Sequence, residues 1–164
     1  MAGWRILHQT GESGFQRTRD LYRELRIEAN IVPFVSDTPS LLAESDLAVS
    51  RAGGTTLAEL AAAAVPTILV PYPHAADDHQ RKNAEAFAAA GACLIVDHRE
   101  HSDSLDGPVA DAMRAILADP ARRAAMADAM YRLARPQAAR DVADRILAVA
   151  GRTLATDSVD RNAA

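Results

Sequence analysis

The stretch that decides the fold is Ser50-Arg51-Ala52-Gly53-Gly54-Thr55-Thr56-Leu57-Ala58-Glu59. It lies between an apolar run at residues 47–49 and an alanine-rich segment at residues 60–64, which predicts a strand, a glycine turn and a helix in that order. Adjacent glycines can adopt positive φ and let a ligand approach the backbone closely. The first N–H groups of the helix and the positive end of its dipole favour an anion. The stretch therefore predicts a phosphate site.

The same stretch has an interpretation that needs no ligand. Thr56 and Glu59 have the spacing of a capping box, in which two side chains satisfy the first backbone N–H groups of a helix. Gly53 and Gly54 would then only form the turn. Alternatively, Glu59 could reach the paired hydroxyls of a ribose beside the phosphates, as an acidic residue does in dinucleotide sites. Both roles of Glu59 stay open at this level.

The composition of the 164 residues narrows the class of protein. A hydrophobic fraction of 49% suffices for the core of one domain. A net charge of -4 and an aromatic content of 4% argue against nucleic-acid binding. The single cysteine, Cys93, lies in an apolar run and is predicted to be a buried, inert thiol. No membrane span or signal peptide is evident, so we expect a soluble, cytoplasmic protein.

Short apolar segments alternate with helical patterns along the first two thirds of the chain. The predicted strands are residues 4–8, 31–35, 46–50, 67–70 and 92–96. The predicted helices cover residues 15–26, 40–44, the segment from the glycine turn to residue 64, and residues 80–90, 109–117, 121–133 and 138–149. This alternation predicts an α/β fold with a parallel sheet and right-handed crossovers. We expect one domain over residues 1–151 and a frayed tail at 152–164.

A second polar segment begins a helix at the same end of the predicted sheet. Ligands of parallel sheets bind beyond the carboxyl ends of the strands, where Asp77, Asp78 and Gln80 fall. The amide of Gln80 offers a donor and an acceptor to sugar hydroxyls. Either aspartate could instead serve only as a helix cap.

His74, His79 and Arg51 also fall near the carboxyl ends of the predicted strands, but the sequence assigns them less specific roles. His74 and His79 are five residues apart across a loop, which does not present two imidazoles to one metal, so no metal site is predicted. No nucleophile–base pair accompanies them, so no catalytic role is assigned. Arg51 could pair with a phosphate or with Asp46.

The combined pattern resembles the C-terminal half of the MurG-type glycosyltransferases. The resemblance runs from about residue 6 to about residue 149 and includes Pro66, the segment 8–11 and the segment 89–92. Its most specific part, besides residues 45–60, is Val70-Pro71-Tyr72-Pro73-His74-Ala75-Ala76-Asp77-Asp78-His79-Gln80-x-x-Asn83-Ala84. It implies a Rossmann-like donor domain, one half of a GT-B fold, of the family 28 C-terminal type.

The resemblance also implies an activity. Enzymes of this family are inverting hexosyltransferases that move N-acetylglucosamine from UDP-GlcNAc to lipid I. The product, lipid II, serves peptidoglycan synthesis and thus cell wall biogenesis, cell shape and cell division. The reaction takes place at the cytoplasmic face of the plasma membrane. No cofactor or metal is implied beyond the donor substrate.

By the same resemblance, individual residues acquire roles in donor binding. The backbone around Val35 would meet the uracil, and Glu59 would bind the ribose hydroxyls. The diphosphate would lie against Gly53, Gly54, Thr55 and Thr56. The sugar hydroxyls would meet His79 and Gln80. Supporting positions beside these contacts would be Arg51, His74, Asp77, Asp78 and Asn83.

The chain also departs from the family pattern. The family's N-terminal domain, with the acceptor site, the catalytic base and the membrane-facing patch, has no counterpart here, nor does the first strand of the donor domain. We therefore expect no catalytic residue in this chain, weakened donor binding, no transfer by the chain alone, and contact with lipid I and membrane only in the intact enzyme. Two alternatives are a non-catalytic nucleotide-sugar-binding subunit that needs a separate acceptor chain, and a GT-B transferase with another acceptor.

Overall fold

The structure is a computed structural model that describes residues 3–101 and 103–151. The predicted tail at residues 152–164 lies outside the described residues. The chain divides into two compact units, Met1–Glu44 and Ser45–Ala164, which are described separately.

The first unit is a small parallel βαβ unit followed by a short helix. Its elements are β1 (Leu7–Gln9), α1 (Phe15–Glu24), β2 (Asn30–Val32) and α2 (Thr38–Ala43). β1 and β2 pair in parallel, with Leu7 opposite Asn30. Asp37 caps α2 by accepting a hydrogen bond from the Ser40 N–H at 3.1 Å. Hydrogen bonds from the side chain and then from the backbone of Ser40 lower the pKa of the Asp37 carboxyl. Within residues 3–44 no side chain is fully buried.

The second unit contains a three-stranded parallel sheet with helices. Its elements are β3 (Ala48–Ser50), α3 (Gly54–Ala62), β4 (Thr67–Leu69), a 3-10 turn (Ala76–Asp78), α4 (His79–Ala89), β5 (Cys93–Ile95), α5 (Asp106–Leu117), α6 (Pro120–Leu133) and α7 (Ala138–Val149). The strand order is β3-β4-β5, and both pairings are parallel. The predicted α/β class with parallel strands and flanking helices is confirmed.

The core of the second unit is built around the central strand. Ile68 on β4 is fully buried, whereas Val49, its partner in register on β3, is 46% exposed. A strand buried on both faces is expected to be a continuous apolar run, as β4 is. The buried core cluster around it consists of Ile68, Val70, Val96, Ile116 and Met126.

The sequence predicts where the strands lie more accurately than it predicts their first and last residues. The strand predicted at residues 31–35 lies at Asn30–Val32. Asn30 and Val32 make the hydrogen bonds to the β1 side, so Pro33, which has no N–H, falls at a position that faces away from β1. The strand predicted at residues 4–8 lies instead at Leu7–Gln9. The strands also form two separate parallel sheets, β1–β2 and β3–β4–β5, where the sequence indicated one.

The prediction for Cys93 is confirmed. Its thiol is buried in β5, and burial raises the pKa of Cys93 to about 12, so it stays protonated and unreactive at neutral pH. None of the helices among the described residues is long and apolar enough to cross a membrane.

Candidate functional site

The predicted phosphate site is the first turn of α3. The residue before the helix is Gly53, and the first helical hydrogen bond runs from the Leu57 N–H to the Gly53 carbonyl at 2.9 Å. The N–H groups of Gly54, Thr55 and Thr56 therefore have no acceptor within the helix, as in the first turn of every α-helix. This turn directly follows β3, at the carboxyl end of a parallel strand, where ligands of α/β sheets bind.

Two details of the sequence interpretation are wrong at this turn. Thr56 is the third helical residue and not the cap, so Thr56 and Glu59 do not form the capping box. Gly53 has a φ of -70° and Gly54 is helical, so neither glycine is needed for a positive φ. A Cβ on Gly54 would meet no atom within 4 Å. These glycines leave the backbone of the turn open to a ligand.

The loop before the turn is held by side chains of α4. Ala52 is fully buried. Its N–H donates to Oε1 of Gln80 at 3.3 Å, and its carbonyl accepts from Nδ2 of Asn83 at 3.1 Å. The same Gln80 oxygen accepts from the N–H of Tyr72, in the loop after β4, at 3.0 Å. Gln80 thus joins the loops that follow β3 and β4, and its Nε2 remains the atom that can donate to a ligand.

Arg51 strengthens the same junction. Its Nη1 donates to the carbonyls of Val70 and Pro71, both at 3.1 Å, and its guanidinium lies over the ring of Tyr72, 5.6 Å from the centroid. The side chain therefore ties the loops after β3 and β4 together, and the suggested pairing with Asp46 is wrong. His74 is exposed, and its ring and the Tyr72 ring form a T-shaped pair with centroids 5.6 Å apart.

His79 begins α4 in a defined orientation. Its Nδ1 is 2.8 Å from the carbonyl oxygen of Ala76. Because a carbonyl only accepts, Nδ1 carries the proton, and the neutral ring then presents Nε2 as an acceptor. The preceding Asp77 and Asp78 have φ values of 49° and 59°, in the left-handed region. Asp78 does not cap α4, since its side chain pairs with Arg99 at 2.7 Å.

Sequence reasoning missed one buried carboxylate beside these residues. Asp97 follows β5, is 5% exposed, and accepts from Arg81 Nη1 at 2.7 Å and from the Arg99 N–H at 2.9 Å. Arg81 also donates to Glu85 at 2.9 Å. This hydrogen bond is the largest cause of the raised pKa of Arg81, and the negative charge of Asp97 adds to it. The signal was available, because an aspartate directly after the apolar run 92–96 lies at the carboxyl end of a strand.

The remaining predicted residues lie on both units. Glu59 is exposed on α3, about 7–8 Å along the helix axis from Gly54, on the face shared with Thr55 and Thr56. Val35 belongs to the first unit, where its N–H donates to Oε1 of Gln9 at 3.0 Å. Every other predicted residue belongs to the second unit. Across residues 3–101 and 103–151, no group of three or more His, Cys, Asp or Glu side chains could hold a metal ion.

The sequence matches the Glycosyltransferase family 28 C-terminal domain over residues 3–146. Among curated relatives, a Methylococcus capsulatus protein is 45% identical over 89% of this chain and 40% of its own length. A Geobacter metallireducens protein is 40% identical over 87% of this chain and 38% of its own length. Both are named UDP-N-acetylglucosamine--N-acetylmuramyl-(pentapeptide) pyrophosphoryl-undecaprenol N-acetylglucosamine transferase.

Two solved glycosyltransferase structures are similar to this chain. The Acinetobacter baumannii MurG structure superposes with a TM-score of 0.77 at 32% identity, covering 87% of this chain and 42% of that one. A glycotransferase of kitacinnamycin superposes with a TM-score of 0.58 at 18% identity, covering 88% of this chain and 36% of that one, which supports the fold alone. The chain spans about 40% of the length of the curated relatives it matches.

Proposed function

Because the chain belongs to the glycosyltransferase family 28 C-terminal domain family, we propose that it is the donor-binding part of an N-acetylglucosaminyltransferase. The complete enzyme would transfer N-acetylglucosamine from UDP-GlcNAc to lipid I and form lipid II for peptidoglycan. The names of the curated relatives support this activity. The observation that carries the proposal is the open first turn of α3 at the carboxyl end of β3.

The diphosphate of the donor would bind the N–H groups of Gly54, Thr55 and Thr56. These donors point away from the helix and add to the positive end of its dipole, which favours an anion. Gln80 and Asn83 hold the preceding Ala52 by its N–H and its carbonyl, so the turn is already ordered before a ligand arrives. A preorganised site loses less conformational entropy on binding.

The nucleoside and the sugar would meet residues on either side of this turn. Glu59, about 7–8 Å further along α3, is placed for the ribose hydroxyls once the diphosphate lies at the N-terminus of the helix. The Nε2 atoms of Gln80 and His79 are left for the sugar hydroxyls, since their other polar atoms bind backbone groups.

The chemistry proposed for this part of the enzyme is stabilisation of the leaving group. As the bond from the anomeric carbon to UDP breaks, negative charge develops on the diphosphate, and the amides of α3 are aimed at that charge. The proposal assigns no metal or cofactor to this role. The base that deprotonates the acceptor hydroxyl, the contact with lipid I and the contact with the membrane would come from other parts of the complete enzyme.

The test is to titrate the isotope-labelled chain with UDP-GlcNAc, UDP and inorganic pyrophosphate while following amide chemical shifts. We expect all three ligands to shift the amides of Gly53, Gly54, Thr55 and Thr56. Glu59→Gln is the matched variant, because it should weaken UDP binding about fivefold, the size of one hydrogen bond, without changing pyrophosphate binding. Addition of EDTA should leave each affinity unchanged.

Three results would contradict the proposal. If none of the ligands shifts these amides at millimolar concentration while the spectrum remains that of a folded chain, α3 does not bind the diphosphate. If Glu59→Gln weakens pyrophosphate and UDP equally, Glu59 acts on the helix and not on the ribose. A uniform shift of amides throughout both units would indicate nonspecific binding.

A further inference from the structure

We propose that the first turn of α4 is positioned for the sugar of the donor by a charged latch, which is formed by Asp78, Arg81, Asp97 and Arg99. This inference rests on the proposed function, because it concerns the part of the site where His79 and Gln80 would meet the sugar. The four residues act through those two side chains, so they are positioning residues and do not themselves contact the donor.

The buried end of the charged latch is Asp97. Its side chain is 7% exposed, and its two oxygens accept from Arg81 Nη1 at 2.7 Å and from the Arg99 N–H at 2.9 Å. A carboxylate withdrawn from water needs such partners, and removing one of them leaves a buried charge unpaired. Arg81 directly follows Gln80 on α4. The pair therefore fixes the first turn of α4 relative to the carboxyl end of β5.

The other end of the charged latch is Asp78, which is half-buried. Arg99 reaches back to it at 2.7 Å, so one short loop after β5 contacts both ends of the turn. Asp77 and Asp78 have φ values of 49° and 59°, a region that is unfavourable for residues other than glycine. Such conformations persist where the surrounding structure over-determines them, and they occur often at binding sites. The Arg99 pair supplies that constraint for Asp78.

The conformation of this turn decides where the two donor-facing side chains lie. His79 follows the two left-handed residues directly, and its Nδ1 closes the same turn through the Ala76 carbonyl at 2.8 Å. A relaxed turn would move the His79 and Gln80 side chains away from the sugar. The N–H groups of Gly54, Thr55 and Thr56 belong to α3 and would still bind a diphosphate. Loss of the charged latch is therefore expected to reduce what the sugar contributes to the binding free energy of the donor more than what UDP contributes.

The experiment uses three variants of the latch and one control. Arg99→Gln removes the partner of Asp78, whereas Arg99→Lys keeps a cation at that position. Asp97→Asn keeps the size of the side chain and removes the charge that faces Arg81. Asp111→Asn is the matched control, since Asp111 is an exposed carboxylate paired with Arg114 on α5. Two quantities are measured: the HN–Hα couplings of Asp77 and Asp78 in the free chain, and the ratio of the Kd values for UDP and UDP-GlcNAc.

Arg99→Gln and Asp97→Asn should change the couplings and lower the preference for UDP-GlcNAc over UDP about fivefold, the size of one hydrogen bond, while the Kd for UDP stays constant. Arg99→Lys and Asp111→Asn should retain the wild-type values. The charged latch is overturned if both disruptive variants keep the couplings and the preference, or if they weaken UDP and UDP-GlcNAc equally. If the wild-type chain binds neither ligand, the proposed function fails and the positioning role fails with it. If the wild-type chain prefers UDP-GlcNAc and the disruptive variants keep that preference, only the positioning role fails.

Discussion

Gln80 provides the sharpest test of how the candidate site is held together. Its Oε1 accepts from the N–H groups of Ala52 at 3.3 Å and Tyr72 at 3.0 Å. In Gln80→Leu both donors lose this acceptor. Ala52 is fully buried, so its N–H cannot turn to water, whereas Tyr72 is 46% exposed and its N–H can be hydrated. One buried donor without a partner costs about 1–3 kcal/mol, and we expect the second unit to lose this much stability.

The assay must report on the second unit alone. Trp4 fluorescence follows the first unit, since Trp4 is the single tryptophan of the chain. Amide hydrogen exchange of Val70 and Val96, whose N–H groups donate to the carbonyls of Ser50 and Leu69, follows the central sheet of the second unit. At 1.4 kcal/mol for each factor of ten, Gln80→Leu should accelerate their exchange about 5- to 140-fold if these amides exchange by global unfolding.

Gln80→Glu is the control, because a carboxylate retains an acceptor for both N–H groups, while it replaces the Nε2 donor with an oxygen and adds a negative charge. Exchange of the Val70 and Val96 amides in this variant should stay within about fivefold of wild type, while binding of UDP-GlcNAc weakens. The reasoning is refuted if Gln80→Leu leaves exchange unchanged. It is refuted equally if Gln80→Glu is as destabilising as Gln80→Leu, since the acceptor would then not be what matters.

Two further predictions concern the sheet of the second unit. Ile68→Ala should destabilise the unit by about 2–5 kcal/mol in urea unfolding. Val49→Ala, at the partner position on the exposed edge strand, should cost less than about 1 kcal/mol. Equal costs would contradict the assignment of β4 as the buried central strand. Cys93 should react slowly with iodoacetamide at pH 8 in the folded chain and rapidly in urea. Because burial raises its folded pKa to about 12, the stabilising effect of the protonated thiol is complete below pH 9.0 and is lost as the pH rises towards about 12. Cys93→Val should remove that alkaline loss, and an unchanged alkaline profile would contradict it.

The elements that were predictable from sequence are those set by local chemistry. The apolar run at residues 67–70 between Pro66 and Pro71 predicted a strand, and β4 occupies Thr67–Leu69. The helix expected over residues 121–133 begins at Pro120, because Asp119 accepts from the Arg122 N–H at 2.9 Å and proline suits the first helical position. In both cases the determining residues are neighbours in sequence.

What the sequence did not reveal depends on residues that are distant in the chain. Thr56 and Glu59 satisfied the spacing of a capping box, but the loop held at Ala52 starts the helix three residues earlier. That loop is fixed by Gln80, 28 residues away, and no local pattern encodes the contact. The two residues of the Arg81–Asp97 pair are 16 positions apart, so no local pattern predicts this contact either. Strand pairing is likewise non-local, so five predicted strands did not indicate two sheets.

The contacts of α4 bear on how any mutation at this site should be interpreted. Gln80 uses Oε1 for the loops and leaves Nε2 for a ligand, and His79 uses Nδ1 for the Ala76 carbonyl and leaves Nε2. An alanine at either position removes both functions, so weaker donor binding in that variant would not identify a ligand contact. Only substitutions that keep one atom's role, such as Gln80→Glu, separate the two. The same side chains therefore serve the fold and the proposed site through different atoms, which is a reason to expect stability and donor binding to change together in most variants of this helix.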